Sequence, residues 1–272
     1  MTELGYIDTH CHYDLCLERG VTSVVYPEKP ANAKISALIL PGLHPTQWQT
    51  AKTLCENACL PIYQSIGLHP WWIEEILTKN TVTTLNTEFD KYDITDVVAI
   101  GECGLDSRIN TPLSVQKEIL ELQISQAVEN RLPLILHNRD ANQPLLEILK
   151  QHESPYGGVI HGFSGSYELA KQFWDKGFYI GIGGTITYPR AKKTRRMVSR
   201  MPLEALLLET DSPDMPLYGY QGWPNSPAQL PRIAQELSVL TNLPIEKIRD
   251  QTTQNAINCF RLHQKSVAFS SI

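Results

Sequence analysis

The amino-acid sequence predicts an α/β chain folded as a (β/α)8 TIM barrel. Eight short apolar runs recur along it, segments with helical spacing separate them, and side chains able to bind metal ions follow several of the runs. A length of 272 residues suits a barrel, since about 250 residues commonly form one such domain. We therefore expect a single barrel domain over residues 1–265 and a frayed tail over residues 266–272.

The apolar runs have the composition of strands that are covered on both faces. They are short and have apolar residues at successive positions, as in ALIL, VVAI, LPLIL and ALLLE, a pattern typical of parallel sheets in α/β proteins. The predicted strands are Tyr6–Thr9, Ala37–Leu40, Ile62–Ile66, Val97–Ile100, Leu134–Leu136, Gly158–Ile160, Phe178–Ile182 and Ala205–Leu208.

Segments with helical spacing lie between these strands. The clearest is Pro112–Arg131, in which an apolar stripe recurs every three or four residues. The other predicted helices are Thr46–Cys59, Tyr167–Lys176, Arg190–Arg200 and Ala228–Leu240. Repeated alternation of strand and helix favours a closed barrel, but periodicity alone leaves a doubly wound open sheet as an alternative.

Two histidines end the first predicted strand, in the motif D-T-H-C-H. Side chains at positions i and i+2 of a strand point the same way, so His10 and His12 can face one metal ion. Taken alone, such a pair is also compatible with two surface or capping histidines.

Four further potential ligands follow predicted strands four, five, six and eight. They are Glu102, His137, His161 and Asp211. In a barrel these strand ends converge on one mouth, whereas in an open sheet they would spread along an edge. Four histidines and two carboxylates exceed the ligands that one tetrahedral ion needs, so the pattern indicates two metal ions that share a bridging carboxylate.

Composition and charge limit the classes of function. The formal net charge is −5, so the chain is not expected to hold a polyanion by a basic surface alone. No apolar run reaches the ~18 residues of a spanning helix, and no apolar signal core begins the sequence. The six cysteines form no C-x-x-C pair, and we expect a cytoplasmic protein with free thiols and no membrane or protein partner.

Substrate contacts are expected at two places. His69, in G-L-H-P-W-W after the third strand, is the first candidate, and its alternative is a turn histidine packed on Trp71 or Trp72. The second is the basic run Y-P-R-A-K-K-T-R-R over 188–196, whose Arg190, Lys192 and Lys193 can contact a phosphate backbone. A solvated helix face remains the alternative for this run.

Six motifs resemble those of the TatD-type metal-dependent hydrolases of the amidohydrolase superfamily. They are D-T-H-C-H, G-L-H-P, I-G-E-C-G-L-D, L-I-L-H-N-R, I-H-G-F-S-G and L-L-L-E-T-D-S-P, and their order and spacing match over residues 4–262. The segment over 209–227 is most similar to the YjjV-like branch of this family. One departure is that S-R-I-N follows G-L-D, where the family often has aromatic residues, and this leaves the substrate open.

The resemblance implies a TIM barrel with two divalent metal ions and hydrolysis of a phosphodiester, with DNA as the substrate of the founding members. It implies one ion held by His10, His12, Glu102 and Asp211, and a second held by Glu102, His137 and His161. We expect Asp211 to orient or deprotonate the attacking water and Glu102 to bridge the ions. Mixed histidine and carboxylate sites accept Zn, Mn, Mg or Ni, so the metal stays open.

Two alternative functions remain at this stage. The first is an ester or C–N hydrolase of the same superfamily, for example an aminoacyl-tRNA deacylase. Many such members bridge their metals with a modified lysine on strand four, where this chain has Glu102, and this favours a phosphodiesterase. The second is a non-enzymatic binding protein, but six ligands over two ions leave positions open for water and substrate.

Overall fold

The structure, a computed structural model, describes residues 5–21, 34–76 and 81–264. Eight parallel strands, each paired with the next in chain order, form a barrel, and the fold predicted from the sequence is confirmed. The expected tail over residues 266–272 lies outside the described residues. The strands are β1 (Tyr6–Asp8), β2 (Ile35–Leu40), β3 (Ile62–Ile66), β4 (Ala99–Asp106), β5 (Leu134–Arg139), β6 (Gly158–Ile160), β7 (Phe178–Ile182) and β8 (Leu206–Leu208).

Helices surround the strands and return the chain from the end of one strand to the start of the next. The five helices predicted from spacing are present, with ends that differ by at most two residues. The helices of the described residues are α1 (Tyr13–Glu18), α2 (Pro45–Asn57), α3 (Ile73–Ile76), α4 (Thr81–Lys91), α5 (Leu113–Glu129), α6 (Asn142–Gln151), α7 (Tyr167–Trp174), α8 (Lys192–Val198), α9 (Leu230–Thr241) and α10 (Ile245–Phe260). In this part of the chain no helix is long and apolar enough to cross a membrane.

The seam between β8 and β1 is closed by the residues that follow the two strands. The Thr9 amide donates to the Leu208 carbonyl at 3.0 Å, and the Asp211 amide donates to the His10 carbonyl at 2.8 Å. A parallel bridge joins Cys11 to Ser212 just beyond. Closure therefore brings the first and last ligand-bearing segments side by side.

Strand β4 differs most from its predicted limits, because it continues six residues past Ile100. Its register against β5 shifts between Ile100 and Cys103, so that three steps on β4 face two steps on β5. Such a bulge redirects the side chains of a strand. Glu102 lies within this bulge rather than after the strand, and it turns into the barrel mouth.

The floor of the mouth is an apolar layer contributed by strands from around the barrel. Its members include Ile39, Ile135, Val159 and Leu207, which are all buried. Ile135 and Val159 precede His137 and His161 by two residues, so the same side of each strand carries first an apolar and then a polar side chain. The buried layer thus sets the direction of both histidines.

All six cysteines of the chain are free thiols.

Gly158, at the start of β6, provides a test of strand packing. Its φ is +147°, and an added Cβ would overlap the Leu134 carbonyl oxygen of β5. We expect Gly158→Ala to lower the free energy of unfolding by about 3 kcal/mol or more, because backbone strain and overlap add. Gly20, with φ +65° and no atom near an added Cβ, is the control, and Gly20→Ala should cost about 1 kcal/mol. Chemical denaturation that gives equal losses would contradict this account.

Candidate metal centre

The six predicted ligands converge at the carboxyl ends of the strands. The carboxylate of Glu102 lies at the centre of the group and is 3% exposed, and its two oxygens face different sets of histidines. His69, at the end of the loop after β3, joins the same group. The geometry therefore divides into two halves that meet at Glu102.

The first half surrounds the Oε2 atom of Glu102. His10 Nε2 lies 3.1 Å and His12 Nε2 3.6 Å from this oxygen. The Asp211 Oδ1 atom lies 3.7 Å and 3.6 Å from the same two nitrogens. Asp211, three residues after β8, adopts φ +56°, a left-handed conformation that aspartate tolerates better than most residues.

The second half surrounds the Oε1 atom of Glu102. His161 Nε2 lies at 2.8 Å, His137 Nδ1 at 3.0 Å and His69 Nε2 at 3.2 Å from this oxygen. His137 Nδ1 and His161 Nε2 are 3.2 Å apart. Three imidazole nitrogens thus face one carboxylate oxygen, and two of them also face each other.

These distances fit metal ions held by each half. Ligand atoms at ~2.0–2.1 Å from a tetrahedral zinc ion lie about 3.3 Å from one another, close to the separations in both halves. His10, His12 and Glu102 form one group that could hold a metal ion, and His69, Glu102 and His137 form another. Neutral imidazoles that point lone pairs at a carboxylate repel it unless a cation or a proton lies between them. The donor set is therefore suited to divalent cations.

The local electrostatics favour an ionised carboxylate at the centre. Burial by itself raises the pKa of Glu102, but the surrounding histidines, His161 foremost, outweigh it and hold this pKa well below its usual range. Burial raises the pKa of Asp211 and lifts the pKa of Glu209 to about 8. Of these three carboxylates, Glu102 is therefore the one most strongly held as an anion.

A buried aspartate, to which the sequence analysis assigned no role, links two ligand-bearing segments. Asp8 accepts hydrogen bonds from the Thr210 amide at 2.9 Å and the Thr210 hydroxyl at 2.6 Å. It also accepts from the His10 amide at 3.3 Å. Asp8 thereby connects the strand that leads to His10 with the turn that carries Asp211, and the i, i+2 spacing to His10 was the signal available in the sequence.

Asp106, the last residue of the motif I-G-E-C-G-L-D, had no role predicted from the sequence, yet it lies beside the centre. Its Oδ2 atom is 3.4 Å from His137 Nε2 and accepts from the Trp71 indole at 2.7 Å. A carboxylate on the far nitrogen of a histidine orients the ring toward a metal. Gln116 of α5 fixes this residue by accepting from the Asp106 amide at 2.7 Å and donating to its carbonyl at 2.9 Å.

His69 has the contacts of a turn histidine packed on Trp71, the alternative considered from the sequence, and its ring also faces the centre. Its Nδ1 atom accepts from the Trp71 amide at 3.1 Å, and its ring packs edge-on against the Trp71 ring at 5.0 Å. Its Nε2 atom nevertheless points at Glu102. Gln123 of α5 holds the preceding residue, Leu68, by hydrogen bonds to both its amide and its carbonyl.

Glu209 lies behind the second half. Its Oε1 atom accepts from the Gly162 amide and lies 3.8 Å from His161 Nδ1. With His10 and His161 it forms a further group of potential ligands. This position is compatible with two roles for Glu209, both of which strand parity allows. Glu209 can orient His161, or it can be a polar side chain of the barrel interior.

The basic run follows β7 and enters α8. Arg190, Lys192 and Lys193 are exposed, and the Arg190 guanidinium lies 5.1 Å from the Tyr188 ring centre. Arg195 differs, because it pairs with Glu236 of α9 and donates to the Ile186 carbonyl. The run therefore contains exposed cations and one arginine that stabilises the fold.

Comparison with known proteins agrees with this arrangement. The family model of TatD related DNase matches residues 7–261. The uncharacterized metal-dependent hydrolase YjjV of Escherichia coli K12 is 38% identical over 258 residues, which cover 94% of this chain and 98% of that protein. An uncharacterized metal-dependent hydrolase of Haemophilus influenzae is 34% identical over 267 residues, which cover 94% of this chain and 100% of the relative.

A solved structure of a relative has the same fold. The crystal structure of YjjV, a TatD homologue from Escherichia coli K12, superposes with a TM-score of 0.81 at 37% identity, and the match covers 94% of this chain and 98% of that one. The residues matched by the family model, 7–261, include all of the candidate ligands. The chain therefore belongs to the TatD related DNase family and is a metal-dependent hydrolase.

Proposed function

We propose that this chain hydrolyses phosphodiester bonds of DNA with two divalent cations bridged by Glu102. The observation that carries the proposal is the division of the Glu102 carboxylate, in which each oxygen faces its own set of histidine nitrogens. A carboxylate placed in this way can bridge two cations by binding one through each oxygen. The family name points to DNA as the polymer.

The proposed ligands follow the two halves of the centre. His10, His12, Glu102 and Asp211 hold one cation, and Glu102, His137 and His161 hold the other. When bound there, divalent cations supply Lewis acidity, which lowers the pKa of water and withdraws charge from a phosphoryl oxygen. They also supply the positive charge that a chain with net charge −5 otherwise lacks for a polyanion.

Asp211 is proposed to position the attacking water and accept its proton. Its side chain is 22% exposed, against 3% for Glu102, so its carboxylate reaches the open side of the mouth. A carboxylate beside an activated water can position it and accept its proton. The Asp8–Thr210 hydrogen bonds hold the turn from which Asp211 projects.

Cations at the mouth are proposed to contact the phosphate backbone. Arg139 ends β5 two residues after His137, so both side chains leave the strand on one side. Arg190, Lys192 and Lys193 add charge after β7. Glu102 stands where a modified lysine bridges the metals in many C–N hydrolases, and this supports a phosphodiester over a cyclic amide.

The bridge predicts different metal contents for two carboxylate variants. Glu102→Gln keeps the size of the side chain but removes the anion that both cations share, so we expect both to be lost from the purified protein. Glu209→Gln is the matched control, because Glu209 lies beside His161 but belongs to neither of the two proposed ligand sets, and it should retain most of the metal. Elemental analysis measures both, and equal retention would show that Glu102 is not the bridge.

The activity itself is tested on DNA, RNA, a small phosphodiester and an aminoacyl-tRNA, with Asp211→Asn as the paired variant. We expect cleavage of DNA and the small phosphodiester, and a fall in kcat of roughly 10²–10⁴ in Asp211→Asn, because a proton acceptor is lost. KM should change little. Turnover of the aminoacyl ester without any phosphodiester cleavage would instead identify the chain as an ester hydrolase.

The basic run predicts an effect on binding rather than on chemistry. Replacing Lys192, Lys193 and Arg190 by glutamine should raise KM for long DNA and flatten its salt dependence, since fewer counterions are released. Hydrolysis of the small phosphodiester should stay unchanged. Arg195 is kept, because its loss would disturb α9. Steady-state kinetics at two salt concentrations measure this, and an unchanged KM on long DNA would leave the run as a solvated helix face.

A further inference from the structure

A large aromatic side chain stands exposed beside the centre. Trp71 belongs to a short 3₁₀ helix, Pro70–Trp72, that follows β3 and His69. It is 54% exposed, although His69 and Asp106, which it contacts, are both buried. Its ring centre lies 5.0 Å from that of His69 and 6.3 Å from that of His137. The indole is thus one ring away from the proposed metal ligands.

The Trp71 ring is held in place despite its exposure. Its Nε1–H donates to Asp106 Oδ2 at 2.7 Å, and its amide donates to His69 Nδ1 at 3.1 Å. The His69 ring meets it edge-on, at 84°. Because the indole has a single polar hydrogen, and Asp106 accepts it, the surface that remains in water is apolar.

A tryptophan with a purely structural role has a different environment in this chain. Trp48 of α2 is 1% exposed, its Nε1–H donates to the Gly67 carbonyl at 3.1 Å, and its ring packs on Phe89 and Tyr92. Packing therefore explains Trp48 but not Trp71. A fixed aromatic ring that stays open to solvent loses little conformational entropy when a ligand stacks on it.

We infer that Trp71 is a specificity residue that stacks on the nucleobase next to the scissile phosphodiester bond, an inference that rests on the proposed function. Nucleobases are planar and present a π face, and indole rings stack on such faces in single-stranded nucleic acid sites. His69 and His137, against which the ring lies, face Glu102 directly. A base stacked on Trp71 therefore has its own phosphate within reach of the centre.

The test compares substrates with and without bases. The first is a short single-stranded DNA oligonucleotide, and the second has the same length but abasic tetrahydrofuran residues, so that only the bases differ. Trp71→Ala should raise KM for the first on the order of 10-fold, the usual scale for one lost stacking contact, with kcat nearly unchanged. KM for the abasic strand should equal that of the parent.

Two further variants separate stacking from other effects. Trp71→Phe loses the hydrogen bond to Asp106 but keeps an aromatic ring. Because the ring can still stack on a base, this variant should retain most of the parent's affinity for the base-containing strand. Val239→Ala, in α9, removes exposed apolar surface of a residue that is 65% exposed and should leave both KM values unchanged. Metal content, measured for each variant, should match the parent.

The possible results distinguish a failure of the stacking inference from a failure of the proposed nuclease function. A parent enzyme that cleaves both strands, with a Trp71→Ala variant unchanged on the base-containing one, overturns the stacking role and leaves the nuclease proposal intact. An equal rise in KM on both strands, or a loss of metal, also overturns it, because Trp71 then acts on the centre and not on the base. A parent that cleaves neither strand overturns both.

Discussion

The carboxylate of Glu102 is the constraint around which the mouth of the barrel is organised. It is buried, it is held as an anion by the histidines around it, and each of its oxygens faces a separate set of them. A buried carboxylate is costly unless it is paired or binds cations. Segments from around the barrel must therefore place imidazole nitrogens 2.8–3.6 Å from it, and small shifts of any of them would leave its charge uncompensated.

The surrounding structure restricts those shifts from several directions. Asp8 joins the segments before His10 and after β8 by hydrogen bonds to Thr210. Two buried glutamines of α5, Gln116 and Gln123, bind both the amide and the carbonyl of residues at the ends of β4 and β3. These three polar side chains thus fix the backbone next to the candidate ligands by hydrogen bonds. Such supports set the orientation of ligands in metal sites.

The open side of the mouth has a different composition from its floor. Apolar side chains fill the barrel beneath the candidate ligands, whereas the exposed Trp71 and the partly exposed Asp211 face solvent. This division suits a long anionic polymer, because only its reacting group needs to reach the buried centre. An overall negative chain can bind such a polymer when the attraction is concentrated at the mouth.

The sequence by itself determined the class of fold and the six candidate ligands that converge at the mouth, because alternating strands and helices with polar residues at strand ends have few other solutions. It did not determine that Glu102 lies in a bulge of β4, since the register with β5 decides this. Nor did it indicate that Asp106 and Trp71 lie beside His137, because these contacts form only when β3, β4 and β5 pair. Contacts between strand ends that are distant in sequence depend on the tertiary structure, so local sequence patterns cannot predict them.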